Sequence, residues 1–212
     1  MFKKYKWNFV FVVFLVSLIG FIIFDIIIIY NIRNYLFRQI FNEMRAKTNL
    51  AVKLVEEKNF SPIRTSPDSL NALALQIKAI VDSRVTIIAA DGRVISDSDV
   101  EKDQIRFLAN HADRPEVVEA ASAGWGQDYR LSDTVKRKLF YTAFTIQQEG
   151  KSIGFLRLAY YASYFESSMI SILCLILLAN IFGLIILFIS AYYLGSLPGF
   201  SVSMYWLQSH VG

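Results

Sequence analysis

Cysteine is almost missing from this chain. Cys174 is the single one among 212 residues, inside an apolar stretch, so no disulfide is available to brace a folded domain, and the thiol reads as apolar filler. Histidine is scarce too, with His111 and His210 alone. No Cys and His spacing suits zinc, no Walker glycine loop cradles a nucleotide, and no Gly-x-Ser-x-Gly elbow presents a nucleophile. These gaps argue against catalysis by this chain and leave no cofactor or metal to expect. A strong excess of one charge is also lacking: 22 Lys and Arg face 18 Asp and Glu, for a net +4. Lys3, Lys4 and Lys6 account for much of that, so nothing points to nucleic acid.

Two stretches lack charge itself. Residues 8–30 contain one charged side chain, Asp25, and residues 167–194 contain none, in a chain that is 54% apolar. Each is long enough to cross a hydrocarbon core of roughly 30 Å as a helix. The first is too long for a signal peptide and has no Ala-x-Ala after it. The lysine cluster ahead of it places the N-terminus in the cytoplasm, and Trp7, Tyr30 and Tyr192-Tyr193 sit where interfacial aromatics belong. The organisation expected is a cytoplasmic segment 1–7, membrane helices 8–30 and 168–194, an extracytoplasmic domain 31–167, and a short cytoplasmic tail 195–212.

What is present between the spans is an α+β pattern. Ile32, Leu36, Ile40 and Met44, with Phe37 and Phe41 beside them, recur at helical spacing, and Leu50, Leu54 and Val55 extend the stripe, so the first membrane helix continues outward until Pro62 and Pro67. A second helix is predicted over 69–82, capped by Ser66 or Asp68, with Leu70, Leu73, Ile77 and Ile80-Val81 inward. Val85 to Ala90 is β-branched and apolar, Asp91-Gly92 reads as a type I′ turn, and Val94-Ile95 begins the return strand. Four carboxylates between Asp97 and Asp103 read as a solvated loop, with a hard-cation site as the weaker alternative. Asp113, Pro115 and Glu116 resemble a capping box that opens a helix to about Ala123. Strands over 125–131, 139–146 and 153–160 complete a five-stranded antiparallel sheet.

The sequence Val-Thr-Ile-Ile-x-x-Asp-Gly-x-Val-x-x-Asp-Ser (85–98), Asn-His-x-Asp-Arg-Pro-Glu-Val (110–117), the glycines around Trp125, and Gly-x-x-x-Gly-Phe-Leu-Arg-Leu (150–158) together resemble the input region of phosphate-regulon-type sensor histidine kinases. The resemblance covers about residues 1–193. It implies a PAS-like fold of the Cache group, a bacterial inner-membrane location and a homodimer, with full-length sensor kinases as possible heterodimer partners. Such kinases continue into a HAMP helix pair, a phosphoacceptor helix and an ATP-binding domain. Residues 199–212 carry no charge and no heptads, so a truncated gene product or a stand-alone fragment is expected. Neither His111, followed by Ala112, nor His210 fits the phosphoacceptor pattern. The input half of a chemoreceptor or cyclic-dinucleotide enzyme, and a small non-sensing regulator bound to full-length kinases, remain alternatives.

For a small ligand or a periplasmic partner, Arg114, Tyr129, Arg130 and Tyr141 are the candidate binding residues, as cationic and phenolic donors around the sheet. Tyr129 and Tyr141 serve equally well as core aromatics. In the second span, Ala179 and Gly183 allow close helix approach, and the amide of Asn180 needs a partner in hydrocarbon. Asn180 of a second copy is the expected partner, while Asp25 is expected to reach the outer interface.

Overall fold

The computed structural model describes residues 2–57, 66–132 and 135–194. The surroundings of Pro62 and the tail 195–212 lie outside the described residues. The chain divides into two compact units, one made of the segments before Leu36 and after Phe165, the other of Leu36–Phe165.

In the first unit, parts of helices α1 (Phe2–Glu57) and α5 (Ser163–Leu194) run antiparallel. Both helices are long and apolar enough to cross a membrane, and their outward positions are large hydrophobics such as Phe11, Ile22, Ile26, Leu175 and Phe182. Asn180 finds its partner within the chain: its Nδ2 donates to Asp25 Oδ2 at 2.5 Å. Asp25, expected at the outer interface, thus holds the α5 amide, and each group supplies the partner that a polar side chain in hydrocarbon needs.

In the second unit, helix α2 (Pro67–Val81), strands β1 (Arg84–Ala89) and β2 (Val94–Asp97), short helix α3 (Lys102–Ile105), helix α4 (Pro115–Ala123), and strands β3 (Trp125–Leu131), β4 (Lys138–Gln148) and β5 (Lys151–Tyr161) follow in order. The strands form one antiparallel sheet, β2-β1-β5-β4-β3. Ser66 caps α2 by accepting from Ser69 N at 3.3 Å, and Pro67 occupies the first helical position, where its missing N–H costs nothing.

Both sheet faces are covered. On one, Phe140 is fully buried among Phe37, Phe41, Tyr129 and Phe165, with ring centroids 4.5–5.7 Å apart. The hydroxyls of Thr48 in α1 and Thr142 in β4 meet beneath them at 2.6 Å. Leu50, expected on this inward stripe, is exposed, and Ala51 and Val52 are buried in its place. On the opposite face α4 packs through Val117 and Ala120 onto Ile88, Ala143 and Phe155. One end of that face is polar, and the candidate site lies there.

Three local expectations are corrected. The β1–β2 connection is no two-residue type I′ turn: Ala89 N bonds Arg93 O across a three-residue loop, and of its residues only Gly92 takes the left-handed conformation. The pair of positive φ angles that a I′ turn requires occurs instead at Glu149 and Gly150, between β4 and β5. The capping box is absent, since Arg114 is the N-cap without a side-chain bond and Glu116 turns inward. The buried Arg157 and the half-buried Arg130 satisfy its carboxylate more fully than one backbone N–H can. The acidic stretch is a solvated loop only in part: Asp99, Glu101 and Asp103 are exposed, with Asp99 paired to Lys78 at 2.8 Å, but Asp97 is buried against Arg84.

Candidate functional site

A small cavity opens on the α4 side of the sheet, lined by Arg84, Leu108, His111, Arg114, Arg130, Ser132, Tyr141 and Arg157. Four of the eight are arginines and none is a carboxylate. About 20 Å3 is open to the centre of a water molecule, room for one or two waters as it stands.

The strands supply the floor. Register alternation puts Arg84 and Thr86 of β1, Arg157 of β5, Tyr141 of β4 and Arg130 of β3 on the same face. The segment between α3 and α4 supplies the rim, and two glycines set its approach. A Cβ on Gly92 would collide with Asn110 and Ala112, and His111 N donates to Gly92 O at 2.8 Å, so the hairpin tip holds the residues leading to Arg114. A Cβ on Gly126 would strike the Glu116 carbonyl, so this glycine lets the start of α4 lie directly against β3.

Behind the lining, carboxylates neutralise the arginines unevenly. Asp97 accepts twice from Arg84 Nε, at 2.9 and 3.2 Å, once from Nη2 at 3.1 Å, and from Thr86 Oγ1 at 2.8 Å. Glu116, fully buried, accepts from Arg130 Nη1 at 2.6 Å and Nη2 at 3.0 Å, and Asp128 takes a further bond from Nη1 at 2.5 Å. Arg157 fares worst. It is 5% exposed, its Nη1 reaches the shared Glu116 at 3.4 Å, its Nη2 donates to Thr86 at 3.2 Å, and its Nε has no hydrogen-bond partner. The Tyr141 ring lies 4.2 Å from the Arg130 guanidinium and 5.1 Å from that of Arg157, which spreads part of their charge over its face.

The titration directions follow. Burial alone would push the Glu116 carboxyl up, but the Arg130 hydrogen bonds and the Arg157 charge outweigh it and hold the group below the usual carboxylate range. Burial lowers Arg157 from the ordinary arginine value, and Glu116 offsets only part of this. His111 is pushed down to about 4, by burial first and then by the charge of Arg157. Its Nδ1 lies 2.7 Å from Ala109 O, a pure acceptor, so Nδ1 carries the proton and Nε2 is left as the basic nitrogen. The site is thus an inward-facing set of guanidiniums, with one buried cation short of counter-charge, beside a neutral imidazole.

Of the four residues proposed from sequence, Arg114, Arg130 and Tyr141 line this cavity together. Tyr129 does not. It projects from the opposite face and packs against Phe37 and Phe140, at 4.9 and 4.5 Å. Sequence reading missed Arg84, His111, Arg157 and the buried Glu116. A charged residue at the centre of Gly-Phe-Leu-Arg-Leu-Ala (154–159) was the available signal, because a cation inside an apolar strand demands partners. Ala179 of α5 is exposed, whereas Gly183 faces Phe21 of α1.

Residues 34–160, more than half of the chain, match the single Cache-like family. The chain belongs to this family. A search of curated proteins gives no match. Among solved structures, the Cache-like domain is similar to the ligand-binding domain of the Campylobacter jejuni chemoreceptor Tlp3 in complex with L-norvaline, with a TM-score of 0.53 and 10% identity over 79% of this chain and 62% of that one. The Tlp3 sensory domain with isoleucine bound gives 0.52 and 12% over 66% and 60%. The sensor domain of the Vibrio cholerae histidine kinase DctB gives 0.45 and 17% over 58% and 46%. The chain therefore spans roughly half to three fifths of those structures, and the likeness at such identity is one of fold.

Proposed function

We propose that this Cache-like domain is the extracytoplasmic input module of a two-pass membrane receptor, and that it takes a small anion into the arginine-lined cavity. Arg157 carries the reading: a buried guanidinium, short of counter-charge and facing a cavity, binds an anion more favourably than it binds water. Arg114, on the rim rather than the floor, is the group able to turn outward and admit a polyatomic ligand. Tyr141 and Ser132 offer hydroxyl donors. In this reading α1 starts in the cytoplasm, the receptor is a homodimer in a bacterial inner membrane, and its output is that of a phosphate-regulon-type sensor histidine kinase. The residues present do no phosphotransfer themselves.

Two measurements test this. The full chain, purified in detergent, is screened by thermal shift and calorimetry against phosphate, sulfate, acetate and C4-dicarboxylates; binding that is lost in Arg114→Ala supports the site. If no anion binds, or the variant binds as well as the parent, the cavity is structural. Residues 1–194 fused to a histidine kinase core or to a chemoreceptor signalling domain then report which output the input module drives, and ligand response in the chemoreceptor fusion alone overturns the kinase assignment.

A further inference from the structure

Asp25 and Asn180 lie in the apolar parts of α1 and α5 and are joined by the 2.5 Å hydrogen bond described above. About one turn away, Gly183 faces Phe21, and a Cβ built on the glycine would lie 3.3 Å from Phe21 Cζ. The partly covered positions run through this contact at helical spacing, Ser17, Phe21, Asp25 and Ile28 in one helix, Ile176, Asn180, Gly183 and Leu187 in the other. Apolar side chains meet one another and lipid tails on nearly equal terms, so they choose no register strongly. A carboxyl and an amide do choose, since an unpartnered polar group in hydrocarbon is costly. Ser171, another polar residue of α5, bonds back to Ser167 O of its own helix and offers no alternative partner.

We propose that Asp25 and Asn180 form a polar latch within one chain, which fixes both the rotation and the axial register of α5 against α1. A slide of one turn carries Asn180 about 5.4 Å and breaks the bond, so movement of α5 in signalling proceeds by opening the latch. That last clause rests on the receptor reading above; the latch itself does not.

The test uses the full chain in lipid nanodiscs, with Cys174→Ser and spin labels at the outward-facing positions Ile22 and Phe182, diluted with unlabelled chain so that only distances within one chain are read. Pulsed electron paramagnetic resonance of the parent gives one narrow distance. Asp25→Leu and Asn180→Leu each lower the ratio of that distance to all others by about three- to twenty-fold, the range of measured interhelical hydrogen bonds in membranes. Asp25→Asn, and the exchange Asp25→Asn with Asn180→Asp, keep a polar pair and keep the parent distance. Parent-like distances in both leucine variants overturn the latch. So does a shifted distance in the exchange variant, which decides the matter even where the leucine variants fail to insert. No ligand and no signalling output enters this measurement, so its failure is separable from failure of the receptor reading.

Discussion

Acid should destabilise the Cache-like domain in a window that belongs to one residue. His111, 8% exposed, titrates at about 4 in the folded chain against an ordinary value of 6.5. The unfolded chain therefore binds a proton that the folded chain refuses between those pH values, and stability falls as pH drops through the interval. With a difference of 2.5 units at 1.36 kcal/mol each, the loss relative to neutral pH is about 2 kcal/mol at pH 5 and about 3 kcal/mol at pH 4. Arg157 and Arg114 disfavour the imidazolium, while Glu116 and the Ala109 carbonyl favour it. The carboxylates act lower: Glu116 and Asp99 are depressed below ordinary values of 4.5 and 3.8, so their stabilisation is intact above those values and is lost as pH falls through the folded ones. Denaturant midpoints of the full chain in detergent, followed by tryptophan fluorescence between pH 7.5 and 4.5, measure the slope, and His111→Gln should flatten it. A parent profile that stays flat to pH 4.5, or a variant with the parent's slope, refutes the assignment. Anion binding should also flatten the profile, because a bound negative charge makes the imidazolium easier to form.

Other substitutions test the framework around the cavity. Glu116→Gln leaves the buried Arg157 and the half-buried Arg130 without their shared charge and should cost about 3 kcal/mol in the same unfolding assay; because the cavity then gains net positive charge, sulfate or phosphate should restore more stability to the variant than to the parent. Gly92→Ala meets both a left-handed φ of 85° and the side chains of Asn110 and Ala112. It should cost about 1 to 3 kcal/mol and weaken anion binding in calorimetry through displacement of the segment carrying His111 and Arg114. Phe140→Ala empties a fully buried ring site on the other face and should cost about 3 to 5 kcal/mol with no change in anion affinity once folded, whereas an affinity change would show that the two faces are coupled.

The elements were legible because their signals are local. Apolar runs of Val, Ile and Leu at period two or 3.6 marked β1, β4, β5, α2 and α5, and Pro67, Pro115 and Gly124 marked helix ends. The site was legible only in part, because it depends on register. Nothing near Tyr129 in the chain says which sheet face it takes; Phe140 opposite it in β4 decides that. Glu116 three residues after Asp113 satisfies a local rule, and the rule lost to Arg130 and Arg157, which arrive from 14 and 41 residues further along. Asn180 announced its need for a partner, but the choice between a second copy and Asp25 hangs on how two helices 155 residues apart align.

Only Ala162 separates the end of β5 at Tyr161 from the start of α5 at Ser163, and its N–H is tied to Lys138 O at 3.0 Å. The chain passes from strand to helix here without an intervening loop. One residue added there would advance the phase of every following helical position by about 100° and its height by about 1.5 Å. Length at this point therefore acts through helical phase: a three- or four-residue insertion, close to a full turn, shifts the phase of α5 least, and single-residue insertions should be far more disruptive than their size suggests.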